Sequence, residues 1–163
     1  MLDIYCEKIN ELKREKEFLE KKLNTKIKIT GKKVQIQGDS INEYESEMVI
    51  DAISLGFPAR MASLLTNENF IFEKINIKNY ARNKNLKVVK SRLIGTHGKT
   101  KKTIEQISGC NIVIKENMIG IICPAESTEY IITAIINLII GSKQTNIYKY
   151  LEKINTLKKA HKF

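Results

Sequence analysis

The sequence predicts an α+β protein built from two similar modules, each a small antiparallel sheet packed on helices. Three observations lead there. Slid against itself at an offset of 85 residues, the chain keeps an ungapped register from about Lys16 to Phe57. Within each copy two short stretches alternate apolar and polar residues at strand spacing, joined by a tight polar turn. Segments of helical periodicity flank both pairs of strands.

In the register Leu19 meets Ile104, Glu20 meets Glu105, Ile27 and Ile29 meet Ile112 and Ile114, and Val34 and Ile36 meet Ile119 and Ile121. The first module, residues 1–66, opens on a segment in which nothing breaks helix propensity, so residues 2–23 are predicted as one nearly continuous helix. That helix leaves the module without an opening strand, N-terminally shortened, and puts Asn10-Glu11-Leu12-Lys13 where its twin carries a glycine loop. Strands at 26–29 and 34–36 follow around Gly31-Lys32. An amphipathic helix over about 40–55 then ends at Gly56, suited to a left-handed cap.

The second module, residues 67–142, is longer at its front. Phe70, Phe72, Ile75 and Ile77 alternate as a strand over 70–78, with a break near Glu73, and a short helix is predicted over 83–94. After Gly95-Thr96-His97-Gly98 come another helix, strands at 111–114 and 119–121 around Glu116-Asn117, and a helix over 126–140 ending at Gly141. That last helix is apolar around most of its circumference (Ile131, Ile132, Ile135, Ile136, Leu138, Ile139 and Ile140), which predicts burial on several sides, between the modules. Residues 143–163 read as a C-terminal basic helix.

Charge narrows the function. The 163 residues carry a net charge of +10, which points to a polyanionic partner. The distribution is polar: Lys74 to Ile104 holds ten basic residues and no acid, whereas Asp39 to Glu68 holds six acids against Arg60 alone. The three cysteines, Cys6, Cys110 and Cys123, lie far apart without paired spacing and read as small buried hydrophobes, neither a disulfide framework nor a zinc site. Residues 130–140 are about half the length of a membrane span, and the N-terminus has no basic region followed by an apolar one. A soluble, cytoplasmic protein without cofactor or metal is expected.

The chemistry is expected in the glycine loop. Two glycines three apart are by themselves a weak signal, but here they join two helices and run straight into Lys99-Thr100-Lys101-Lys102. Glycines let a ligand backbone approach the peptide, and the start of the next helix offers unpaired N–H groups and a positive dipole end to phosphates. Candidate RNA contacts are therefore Gly95, Thr96, His97, Gly98, Lys99, Thr100, Lys101 and Lys102, with Lys90 and Arg92 adding charge from the preceding helix. Ile94 and Ile112 are candidates for the apolar floor under unstacked bases. Catalytic readings fare worse. The spacing is wrong for a Walker loop although Gly98-Lys99-Thr100 imitates its end, and two histidines in all leave few acid–base players. Glu43, Glu45 and Glu47 spread over a helix surface.

The stretch Ser91-Arg92-Leu93-Ile94-Gly95-Thr96-His97-Gly98-Lys99-Thr100-Lys101-Lys102-Thr103-Ile104-Glu105, continuing to Ser108-Gly109, resembles the KH-domain ribosome-assembly proteins typified by the partner of the Nob-one endonuclease. Ile139-Ile140-Gly141 and Ile147-Tyr148-Lys149-Tyr150-Leu151-Glu152 extend the likeness, and the KRR-motif processome protein is a more distant cousin. The resemblance implies tandem type I KH modules, the first degenerate, and a non-enzymatic factor binding single-stranded RNA near the 3′ end of small-subunit ribosomal RNA. It implies as partners a Nob-one-like endonuclease and, in archaea, the alpha subunit of initiation factor two. Eukaryotic members carry a long extension before the first module, so a chain starting inside it is expected to be of archaeal type. A KH protein of translation or RNA turnover stays open, as does a protein scaffold whose basic face serves solubility. Substituting both loop glycines by Asp is expected to abolish RNA binding and leave the fold intact.

Overall fold

A computed structural model describes residues 1–161, and the chain divides into two compact units, Met1–Phe72 and Glu73–Phe163. The first contains β1 (Leu2–Tyr5), α1 (Ile9–Arg14), α2 (Lys16–Leu23), β2 (Lys26–Thr30), β3 (Lys33–Gln37), α3 (Ser40–Leu55) and α4 (Ala59–Ala62). Its sheet is antiparallel in the order β1-β3-β2. Leu12, Leu19, Leu23, Ile27, Val34, Ile36, Val49, Ile50 and Ile53 form the core between that sheet and the helices.

Two expectations for the N-terminus are corrected. Residues 2–23 are not one helix, and the module does have its opening strand. Leu2 and Ile4 alternate with Asp3 and Tyr5, and β1 lies antiparallel on β3 with Ile4 opposite Val34. The N–H of Cys6 extends the pairing by donating to the carbonyl of Lys32 at 2.9 Å. Four residues are too few for an alternating pattern to outweigh helix propensity on paper, but the open edge of β3 supplies hydrogen bonds that no local preference predicts. The remaining helical stretch kinks at Glu15 (φ −103°, ψ 12°), which separates α1 from α2. The module is short only between strand and kink, where α1 covers Asn10 to Lys13 in place of a glycine loop.

β4 (Phe70–Asn76) begins three residues before the boundary, and the second unit repeats the plan with it and with α5 (Lys78–Ala81), α6 (Leu86–Ile94), α7 (Lys99–Ser108), β5 (Asn111–Lys115), β6 (Met118–Pro124), α8 (Thr128–Ile140) and α9 (Gln144–Ala160). Its sheet order is again β4-β6-β5. The repeat is physical as well as numerical. Glu20 Oε1 accepts from the backbone N–H of Ile27 at 2.8 Å, and at the same offset Glu105 Oε2 accepts from that of Ile112 at 3.2 Å. In both modules a carboxylate on the helix before the strand accepts from the second residue of that strand, so a side chain as well as a turn helps to place it.

Much of the apolar circumference of α8 is buried within its own unit, whereas Ile140 is 52% exposed. The helix packs on α5, α6 and α9, and Ile131, Ala134, Ile135, Leu138 and Ile139 are buried in a core shared with Val89, Leu93, Ile104, Ile147 and Leu151. The basic helix expected over 143–163 is seen as α9, and its last two expected residues lie outside the described ones. α9 is packed on α7 and α8 and contributes Ile147 and Leu151 to that core. Among the described residues no helix is long and apolar enough to cross a membrane.

Candidate nucleic-acid interface

The glycine loop is built from both sides. Asn85 caps α6, its Oδ1 accepting from the N–H of Lys87 at 2.9 Å and more weakly from Val88, so the helix starts firmly and delivers Leu93 to the core and Ile94 to the surface. α6 stops because Gly95 adopts φ 77° and ψ 172°, a region open only to glycine. A Cβ there would also lie 2.2 Å from Thr100 Oγ1 and 2.7 Å from Thr100 N. The turn that follows puts His97 (φ 54°) and Gly98 (φ 73°) in the left-handed region, which histidine tolerates better than most residues. A Cβ on Gly98 would meet nothing within 4 Å. Gly95 is thus the packed glycine and Gly98 the open one.

α7 begins at Lys99 with no side-chain cap on its N-terminus. Its first-turn amides have no intrahelical acceptors and carry the positive end of the dipole. Thr96, His97, Lys99 and Lys102 are exposed around this corner, Gly95, Gly98 and Lys101 are partly exposed, and Thr100 is buried beneath. The corner therefore offers peptide amides and mobile ammonium groups to an anion, with open space at Gly98.

The structure sorts the remaining candidates. Lys90 and Ile94 share one face of α6, and Ile94 is 38% exposed, an apolar surface beside the loop. Ile112 is a core residue at 3% exposure and presents no surface there. Arg92 is committed elsewhere: its guanidinium donates to the carbonyl of Leu138 at 3.0 Å and that of Ser142 at 2.6 Å, closing the C-terminal end of α8. Lys101 pairs with Glu105 at 2.9 Å. Lys84 also approaches the α8 terminus, since a Cβ on Gly141 would sit 2.7 Å from its Nζ. The basic run therefore divides its labour between a helix end and the loop.

A groove of about 590 Å³ borders the loop, with neither Lys90 nor Ile94 in its lining. Lys87, Val88, Ser91 and Arg92 line it from α6, Gly95, Thr96, Lys99 and Thr100 from the loop and α7, and Gln144 and Tyr148 from α9. Sequence reasoning missed the α9 residues because their distance in the chain hides them; the signal was the packed stripe of Ile147 and Leu151, which turns Gln144 and Tyr148 towards one side. Among the described residues no group of His, Cys, Asp and Glu could hold a metal ion.

Two three-stranded sheets in the same order, with a glycine corner between the helices of the second module, define a tandem type I KH protein. Residues 71–156 match the model of the second KH domain of PNO1-type proteins, described as a eukaryotic type KH-domain (KH-domain type I). The chain belongs to this RNA-binding KH family. It is similar to the KH domain-containing protein MJ0443 of Methanocaldococcus jannaschii, 29% identical over 145 residues that make up 85% of this chain and 64% of the relative's length. Among solved structures it resembles Dim2p from Pyrococcus horikoshii, with TM-score 0.83 and 29% identity over 93% of this chain and 98% of that one. It resembles equally a chain of the a/eIF2alpha-aDim2p-rRNA complex from the same organism, with TM-score 0.83 and 28% identity over 95% and 93% of the two chains. An Aeropyrum pernix protein of unknown function shares the fold at 24% identity, with TM-score 0.83 over 98% and 93%.

Proposed function

We propose that this chain is a non-enzymatic ribosome-assembly factor that binds single-stranded RNA near the 3′ end of small-subunit ribosomal RNA, gripping the strand at the corner from Gly95 to Lys102. The observation that carries the reading is the start of α7, which has no side-chain cap, beside the open glycine Gly98, with Lys99 and Lys102 exposed around it. Phosphates lie against such amides where no side chain intervenes, and Ile94 at the edge of the corner suits a base lifted out of its stack. The rRNA in the complex of the P. horikoshii relative supports the choice of RNA class. The alpha subunit of initiation factor two is proposed as a partner on the same ground, and a Nob-one-like endonuclease on the family resemblance of the loop region.

The test is fluorescence anisotropy with labelled single-stranded RNA carrying the 3′ sequence of small-subunit rRNA and a shuffled strand of equal composition. The expected preference for the true sequence is about tenfold or more, each mismatched position costing on the order of 1 kcal/mol or above. Equal affinity for both strands would contradict an assembly role at that site, and cleavage of either strand by the purified chain would contradict a binding-only factor.

A further inference from the structure

The groove that borders the loop and α9 is lined by neither Lys90 nor Ile94. On α6 its lining is Lys87 with Ser91 and Val88 with Arg92, pairs four residues apart. Closed by α9, the groove measures about 590 Å³. A concave space of that size matches a nucleotide and exceeds what side-chain packing leaves behind.

Resting on the RNA reading above, we infer that this groove is a second nucleotide subsite, in which a base of the same strand stacks on Tyr148 and Val88 after its backbone has crossed the loop. Three features carry the inference. The lining holds Lys87, Arg92 and Lys99 and no carboxylate, so it attracts a polyanion and disfavours an acidic peptide. Its apolar members are the ring of Tyr148, partly buried against the core, and a valine left 57% exposed, apolar surface on which a flat ring can lie. It is continuous with the loop through Gly95, Thr96, Lys99 and Thr100, so a strand held at the corner can enter without a break. Gln144, with one amide donor pair and one acceptor, stands where it can read the edge of the base. α9 thereby becomes part of the binding surface, and the footprint grows by one nucleotide or more beyond the corner.

The chain has no tryptophan, so Tyr148→Trp keeps a stacking surface and introduces a single reporter. Mixed-sequence single-stranded RNA twelve nucleotides long is titrated into the variant while binding is followed independently by anisotropy of an end label. Quenching of the tryptophan that saturates together with the anisotropy is the expected result. Val88→Asp, at an exposed position that leaves the core untouched, is expected to weaken binding about tenfold in the same assay, in line with loss of one stacked base. Binding by anisotropy with unchanged tryptophan emission and an unaffected Val88→Asp variant would overturn the subsite while leaving the loop assignment standing. Absence of binding by the unsubstituted chain would instead remove the RNA reading and the subsite with it.

Discussion

Gly95 lies against Thr100 so closely that a Cβ on it would stand 2.2 Å from Thr100 Oγ1, whereas a Cβ on Gly98 three residues later would point into open space. The two glycines of the loop therefore do different jobs. Gly95 lets α6 end against the first turn of α7, and Gly98 keeps the ligand side bare. Gly95→Ala is expected to destabilise the second module by about 2–4 kcal/mol, from overlap with backbone and a glycine-only φ/ψ. Gly98→Ala costs about 1 kcal/mol for its left-handed backbone. The expectation that Asp at both positions would spare the fold is corrected accordingly: Gly98→Asp is the clean probe. Thermal and denaturant unfolding of the three variants check the ranking.

Arg92 and Lys102 belong to the same basic run, yet only one of them is tied to the fold. Arg92→Ala removes both donors from the carbonyls of Leu138 and Ser142, with an expected loss of about 2 kcal/mol in urea unfolding. Lys102→Ala, at an exposed site, should leave stability within about 0.5 kcal/mol. It should lower RNA affinity and reduce the slope of log K against log salt by about one. Equal stability losses in both variants would contradict this division.

Cys6, Cys110 and Cys123 are buried at 0, 1 and 0% exposure. The hydrogen bond between Cys110 and Cys123, and then burial, push the Cys110 thiol up, while the same bond draws Cys123 down to about 7, so burial and not a scarcity of thiolate shields all three. A chromogenic disulfide reagent is expected to react with none of the three in the native protein over minutes and with all three after unfolding. Rapid reaction of one thiol under native conditions would show that its module opens easily.

Asp3 on β1 is held below its ordinary value of 3.8, first by the hydrogen bond to Lys33 and next by Gln35, both on β3. A depressed carboxylate pKa contributes stability above the unfolded value and loses it as pH falls through the folded one. Amide protection factors along β1, corrected for intrinsic exchange, should therefore drop as pH is lowered below 3.8. Asp3→Asn should flatten that dependence; an unchanged profile would mean that the pair at Asp3 does not hold the strand.

The reach of sequence reasoning follows from how far each interaction travels along the chain. The repeat was legible because the elements after the second helix keep identical spacing, β2 and β5 starting at Lys26 and Asn111 and each pinned by its own glutamate. The glycine corner was legible because its cause is local: φ above zero and a helix start. β1 was not, since four residues became a strand only through an edge some thirty residues away. The destination of Arg92 was hidden for a similar reason, its acceptors lying 46 and 50 residues downstream. Ile112 looked like floor because alternation shows which face a residue takes and not how deeply that face is covered.

The central claim is that RNA lies on the corner from Gly95 to Lys102. Titrating single-stranded RNA into the ¹⁵N-labelled chain and following amide shifts residue by residue tests it most directly. The largest shifts are expected on Thr96 to Lys102, and Gly98→Asp is expected to abolish them while lowering the melting temperature by only a few degrees. Shifts concentrated in Met1–Phe72, with the corner unmoved, would contradict it.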